Sequence, residues 1–317
     1  MKKIAFILPL LAIALTSCSE VKPLEKMVFC FDSIIDVKLY DGKKEYLDWI
    51  NNICYEYDVA TDYYAKGTPL GIYQINRTND EIEIEPDIYD LLKYAFDVKD
   101  QGATYFDPMC GSLSEKWKES LAKKEILSEM VINEELEKRN NSSFEFFEDY
   151  NIQRIGEATI DLGGIAKGYV LQKVYEYLRG HGVNKYIING GSSSILLGEK
   201  NTKSGLFTVG LKEVKNAYIQ AKNCFISTSS IYQQGVEING VTYSHIINPV
   251  TGSAINENDG VIVISDNGAY GDAMSTSLMN NTIDEIKAIE QEHNIKTIVI
   301  KKNKIAYSHK DIEVKYH

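Results

Sequence analysis

A chain of 317 residues, 44% hydrophobic and 25% charged, is long enough for one large domain or two closely packed lobes with a sizeable core. Its formal charge of −11, with no basic cluster to offset it, argues against a nucleic-acid or anionic-membrane surface, so a bound phosphate would need a cation or backbone amides. The five cysteines show neither CxxC nor Cys/His zinc spacing, which leaves them as buried thiols or as disulfides of undecided pairing.

At the N-terminus, Lys2 and Lys3 precede an apolar run from Ile4 to Leu15 that ends in LTSCSE. The run is too short to span a bilayer and has the form of a secretory signal. Leu15, Thr16, Ser17 and Cys18 resemble the lipobox of bacterial lipoproteins, in which the cysteine is lipidated and becomes the first residue. The expectation is a signal peptide over residues 1–18, a tether over 19–26 and a folded domain over 27–317. Such a domain sits in the cell envelope outside the cytoplasm and touches the membrane only through its lipid anchor. An ordinary signal peptide with an incidental cysteine is the alternative.

VFCFDSIIDVKLYDG then reads as a strand ending in an Asp-Gly turn. KKEYLDWINNICYEYD places Leu47, Ile50, Cys54 and Tyr57 on one helical face. PDIYDLLKYAFDVKDQG does the same with Ile88, Leu91, Ala95 and Val98, with Pro86 near its start and Gly102 past its end. Residues 114–145 are charge-rich and read as a solvated helical excursion. Beyond Ile160 the chain turns to short apolar runs separated by Gly, Asn and Ser, with an Asn-Gly hairpin signal at EINGVTYSHII. A closing helix at TIDEIKAIEQEHN and a hairpin at KTIVIKKNKIAYS follow. The pattern is α+β, with largely antiparallel sheets and packed helices.

Four stretches carry the chemistry. In IDLGGIAKGYVLQKV, Val170, Val174 and Leu178 recur every four residues, so a helix begins near Ala166, directly after a glycine loop. Such a loop is a physical anion site, with backbone N–H groups and the helix dipole aimed at a phosphate and Lys167 adding charge. It is neither the P-loop nor the dinucleotide fingerprint, and a tight turn in which Asp161 bonds backbone amides is the competing reading. In YGDAMSTSLMN, Asp272 and Thr276 share a helical face with Ser275 beside them, an oxygen set suited to magnesium or, alternatively, a cap and a core threonine. In YSHIINPVTGS, His245 ends an apolar strand at a loop mouth and is the best placed of five histidines. In QGATYFDPMCGSLSEKW, aromatics beside Asp107 and Pro108 form a rigid loop suited to a planar ring.

These stretches occur in the order and at roughly the separations of the ApbE family of flavin transferases. DLGGIAKGY resembles its most characteristic motif, SHIINPVTG its His-Ile-Ile-Asp-Pro-x-Thr-Gly, GDAMSTSLM its Ala-Asp-Ala-x-Ser-Thr-Ala-Leu, and ATYFDPMCGSL its Gly-x-Phe-Asp-x-x-x-Gly-x-Leu. The resemblance runs from about Phe29 to Tyr307. It implies an ApbE-like fold of two intimately packed lobes and an envelope enzyme that moves the FMN half of FAD to a Ser or Thr hydroxyl of an acceptor protein, releasing AMP, with magnesium required. Asp272, Thr276 and the Gly164 carbonyl would then hold the metal, with Ser275 an additional ligand. Asp161, Lys167, Tyr105, Phe106, Asp107, Ile246, Phe31 and Asn76 would contact FAD, and His245 would be the base. The chain departs from the family pattern with Asn248 for the usual Asp, Ala254 for Pro, Ser192 and Ser194 after NGG for Asp or Asn, and FDSII for a Gly-Thr entry. Two rivals remain, a metal-dependent FAD pyrophosphatase using the same site with water, and a non-catalytic flavin-binding lipoprotein. A solute-binding lipoprotein would need parallel sheets in two similar lobes, which the short-strand pattern does not support.

Overall fold

The computed structural model describes residues 22–66, 71–191 and 193–317, so the expected signal segment, Cys18 and the first part of the tether lie outside the described residues. In place of the single strand expected before Asp41, the chain forms a hairpin of β1 (Leu24–Cys30) and β2 (Ser33–Leu39). It turns on Phe31 and Asp32, both left-handed at φ 53° and 51°. A two-residue turn of this hand favours Asn or Gly, and Phe-Asp carries neither, so the residues that mark hairpins are missing. The Asp58 carboxylate accepts the Phe31 N–H at 2.6 Å and holds the tip in place.

Helix α1 (Lys44–Thr61) buries Leu47, Ile50, Cys54 and Tyr57 as the spacing predicts. The short α2 (Ile72–Ile75) and β3 (Ile82–Glu83) lead to α3 (Pro86–Asp97), where Pro86 occupies the first turn and needs no N–H partner. A 3₁₀ turn over Pro108–Cys110 runs into α4 (Gly111–Ala122), followed by α5 (Glu129–Asn140), β4 (Ser143–Phe146) and β5 (Asn151–Ile155). Then come α6 (Ala166–Gly180), β6 (Tyr186–Gly190), β7 (Ser194–Leu197), β8 (Phe207–Gly210), β9 (Ala217–Ala221) and β10 (Cys224–Ser230). After α7 (Ile231–Gln234), the hairpin of β11 (Val236–Ile238) and β12 (Val241–Tyr243) turns at Asn239-Gly240 as expected. The chain closes with β13 (Gly260–Ser265), α8 (Gly268–Leu278), α9 (Ile283–His293), β14 (Lys296–Lys301), β15 (Lys304–Ser308) and β16 (Lys315–Tyr316).

One eight-stranded antiparallel sheet, ordered β1-β2-β6-β7-β10-β13-β14-β15, organises the fold. Both of its faces are covered, and strand alternation sorts the side chains between them. Val261, Val263 and Val299 face a core shared with α1, α3, α6 and α8, while Ile226, Ile262 and Ile298 face a second core closed by the β16-β9-β8 sheet. Each fully buried Ile or Val contributes about 1.5–3 kcal/mol to this arrangement.

The charge-rich segment departs from expectation. Helix α4 buries Leu113, Trp117 and Leu121, four residues apart, against Tyr243, Ile247 and Ala254, so its charges cover only the outer face of a third core. That core lies directly beneath the His245 loop, and the segment taken for a solvated excursion supports the site.

Candidate active site

The glycine loop is positioned by a side chain that stands in for a strand. Asn76, 6% exposed, donates from Nδ2 to the Ile160 carbonyl at 2.9 Å and accepts the Ile160 N–H on Oδ1 at 2.7 Å. Its amide is thereby spent on backbone. Downstream, Asp161 accepts the Gly163 N–H at 2.7 Å, and α6 starts at Ala166 as the spacing predicts.

The α6 N-terminus differs from the open anion site expected of it, because its Gly168 N–H donates to Asp272 Oδ2 at 2.6 Å. The positive end of the helix thus holds a carboxylate of the protein itself. Gly168 has no side chain for a steric reason: a Cβ there would lie 2.1 Å from the Gly268 carbonyl oxygen, so α6 and α8 meet backbone to backbone. Gly164 is similarly confined, its Cβ position lying 3.0 Å from Thr276 Oγ1 and 3.1 Å from the Phe106 ring. Of these glycines, only Gly163 is exposed.

Asp272 is buried on α8 amid hydroxyls. Ser227 Oγ donates to Oδ1 at 2.6 Å, and Ser194 Oγ lies 2.9 Å from both carboxylate oxygens. Ser229 Oγ reaches Ser275 Oγ at 2.9 Å and Thr276 Oγ1 at 3.3 Å, while Ser275 Oγ donates to the Asp272 carbonyl. Burial pushes the Asp272 carboxyl up to about 6, against the opposing pull of Ser227, Lys167, Ser194 and the Gly168 N–H. Ser194, a departure from the family pattern, thus meets Asp272, and Ser227 is a partner the sequence reading does not name. The alternation in STSS on β10, which aims Ser227 and Ser229 at one face, is the signal that could have found it.

His245 is exposed at the rim. Crowding by surrounding atoms lowers its proton affinity below the ordinary histidine value of 6.5, Lys167 lowers it further and Asp161 opposes them, so all three residues share one electrostatic neighbourhood. The loop that carries His245 is fastened from below, where Trp117 Nε1 donates to the Gly252 carbonyl at 2.8 Å and the indole stacks on Tyr243. Asn248, where the family pattern has Asp, accepts the Val250 and Thr251 N–H groups on Oδ1 at 2.9 and 3.1 Å. An amide oxygen performs that turn-closing role as a carboxylate would. Ile246 is buried, and its carbonyl accepts from Ser244 and Asn256.

The aromatic loop hangs from α8 through the Tyr105 N–H, which donates to Ser277 Oγ at 2.9 Å, and Phe106 is buried against Gly164. Asp107 is committed to the protein: it caps the 3₁₀ turn at Met109 N–H and pairs with Arg139 of α5 and with Lys99. Phe31 is half-buried at the β1–β2 tip, whose next residue, Ser33, packs on Gly191. Among the described residues no group of three or more His, Cys, Asp or Glu side chains converges as a metal cage. The donors present, one carboxylate, one hydroxyl and one main-chain carbonyl, fit a hard cation that brings most of its ligands with a phosphate substrate.

The ApbE family model matches residues 31–299. This chain belongs to the ApbE family. Among curated relatives it is 33% identical over 155 residues to the FAD:protein FMN transferase of Klebsiella pneumoniae strain 342, covering 46% of each chain. It is 29% identical over 132 residues to that of Treponema pallidum strain Nichols, covering 37% of this chain and 36% of the relative. The chain thus spans less than half the length of these curated relatives. A match to the FAD:protein FMN transferase of Chlamydia pneumoniae, 24% identical, covers 93% of this chain and 96% of the relative. The solved flavin transferase ApbE from Vibrio cholerae superposes with a TM-score of 0.74 at 20% identity, covering 91% of this chain and 97% of its own. The ApbE protein from Thermotoga maritima does so with a TM-score of 0.75, also at 20% identity, covering 92% and 96%. These two likenesses establish an ApbE-like α+β fold.

Proposed function

We propose that the chain transfers FMN from FAD to a Ser or Thr hydroxyl of an acceptor protein, with magnesium bound at Asp272, Thr276 and the Gly164 carbonyl, and AMP as the other product. Family membership and the names of the curated relatives support flavin transfer. One observation carries the reading to these residues: the Gly164 backbone meets Thr276 one helical turn from the buried Asp272, with Lys167 near enough to act on both Asp272 and His245. Ser275 is turned toward the Asp272 carbonyl and Ser229, so its part is to orient Thr276 unless its hydroxyl rotates.

In the reaction, the acceptor oxygen bonds to the phosphorus on the riboflavin side, the bridging P–O bond breaks and AMP departs. Lys167 would neutralise pyrophosphate charge that the protein's own −11 would otherwise repel, and a cation held by Asp272, Thr276 and the Gly164 carbonyl would supply further positive charge there. His245, held neutral near pH 7 by its lowered proton affinity, takes the hydroxyl proton. Asn76 and Asp161 fix the loop, and Phe106, packed against Gly164, would with Tyr105 and Ile246 border the flavin half.

The reading extends to location: Cys18 would carry the lipid, and the enzyme would act outside the cytoplasm on an envelope acceptor. The chain from residue 19, incubated with FAD, magnesium and a flavin-acceptor domain, should add one FMN mass to the acceptor. The exposure of His245 gives water access to the same base, which keeps FAD hydrolysis as a second reading. Free FMN and AMP beside an unmodified acceptor would establish hydrolysis instead, and unchanged FAD would reject both.

A further inference from the structure

Cys30 ends β1 and Cys54 lies midway along α1, and neither has a part in the flavin reading. Both side chains belong to the main core, at 4% and 0% exposure. Both are free thiols, and Cys30 is the foremost group acting on the Cys54 thiol, as neighbouring side chains would be. One helical turn beyond Cys54, Asp58 accepts the N–H of Phe31, the residue directly after Cys30, at 2.6 Å. The end of β1 is therefore tied to α1 one residue past Cys30 and one turn past Cys54, which sets the two thiols in one part of the shared core. The other two cysteines differ: Cys110 at the 3₁₀ turn and Cys224 at the start of β10 are pushed up to about 12, mainly by burial, and no thiol is among the groups acting on either. No third metal-ligating side chain joins Cys30 and Cys54 in a cluster among the described residues.

We infer that Cys30 and Cys54 are a disulfide-forming pair that clamps the β1–β2 tip onto α1, oxidised during folding by a disulfide-bearing oxidant. One cysteine attacks the oxidant as thiolate, forming a mixed disulfide and releasing one oxidant thiol. The second cysteine attacks that mixed disulfide, the Sγ–Sγ bond forms and a second oxidant thiol leaves. Two electrons pass to the oxidant, and the two cysteine protons end on the released thiols or solvent. Compartments that supply such oxidants lie outside the cytoplasm, where the N-terminal segment would send this chain.

Timing follows from burial. The Cys54 thiol, fully buried, is held far above the ordinary range by the neighbouring Cys30 thiol and by desolvation, so the folded core suppresses the thiolate that exchange requires. The bond must form before the hairpin docks. Once made, it closes a loop of about 25 residues and narrows the unfolded ensemble. It also holds the tip where Ser33 packs on Gly191, at the turn leading to Ser194 and so to Asp272.

The test uses the full chain carrying Cys18→Ala, unfolded in urea and refolded with glutathione disulfide and glutathione, then alkylated, digested and mass-mapped. The inference expects a linked Cys30–Cys54 peptide, alkylated Cys110 and Cys224, and a melting temperature about 5 °C above that of a sample refolded with dithiothreitol. Folded, reduced protein given the same oxidant should acquire the link at least about tenfold more slowly. Four alkylated cysteines after oxidative refolding, or a link to Cys110 or Cys224, overturns the pair. A linked pair without a rise in melting temperature overturns the clamp, and equal oxidation rates before and after folding overturn the timing. None of these readouts involves flavin, so they stand apart from the transfer assay.

Discussion

The two walls of the site are built in opposite ways. On one side, α6 and α8 touch at Gly168 and Gly268 with no side chain between them, and the Asp272 carboxylate takes hydrogen bonds from a helix terminus and two serines. On the other, the His245 loop rests on a small apolar core and one indole hydrogen bond, its histidine exposed. The first wall is close-packed around a buried charge, the second open at its rim but crowded about the imidazole. On the proposed reading, the charge that would hold a cation sits on the close-packed wall, whereas the histidine that would accept a proton sits where an incoming hydroxyl could reach it.

Changing Asp272 to Asn should separate function from stability most sharply. Transfer should fall by about 10³-fold or more, because the proposed cation site would lose its charged oxygen ligand. Stability should move the other way. The folded Asp272 pKa, about 6, lies above the ordinary 3.8, so stability falls as pH rises through that interval and the cost is complete above it. In metal-free buffer at pH 7 the amide should therefore gain up to about 3 kcal/mol by urea unfolding, shrinking toward zero near pH 4. A less stable variant at pH 7 would mean that the serines and Gly168 fully offset the burial of the charge.

His245→Asn tests the open wall and should cost about 10²–10⁴-fold in transfer while FAD affinity changes little. With the native residue, the acid limb of the rate profile should lie below 6.5, since crowding and Lys167 favour the neutral ring. A limb above 6.5 would show that Asp161 or bound substrate dominates instead. Gly168→Ala places a methyl 2.1 Å from the Gly268 carbonyl, and about 3 kcal/mol of destabilisation is expected in denaturant titration, with none of the compensation available at a surface helix. The smallest effect belongs to Trp117→Phe, which keeps most of the apolar area but leaves the Gly252 carbonyl without its donor. A loss of about 1–2 kcal/mol is expected, with transfer more sensitive than FAD binding. If transfer in that variant is unchanged, the wall beneath His245 does not set its position.

Much of this organisation was legible from periodicity. The inward faces of α1 and α3, the start of α6 at Ala166 and the shared helix of Asp272 and Thr276 all follow from spacing, because amphipathic elements and helix starts are local properties. Two kinds of feature escaped. The hairpin turn at Phe31-Asp32 lacks turn chemistry and depends on Asp58, a partner 27 positions away. The support role of α4 was masked by its charges, although Leu113, Trp117 and Leu121 keep the four-residue rhythm of a buried stripe. Asp107 and Asn76 were singled out as flavin contacts, yet their partners Arg139 and Ile160 come from distant segments whose meeting only the tertiary fold determines.

Asn76 has one more consequence. By answering both polar groups of Ile160, its amide completes the constraint that Gly111 and Pro108 begin through backbone bonds to Thr159 and Asp161. Residues 160–166 are then set when the protein folds and need no ordering when a nucleotide arrives, so calorimetric titration should record association without the large entropic penalty of a loop freezing around its guest.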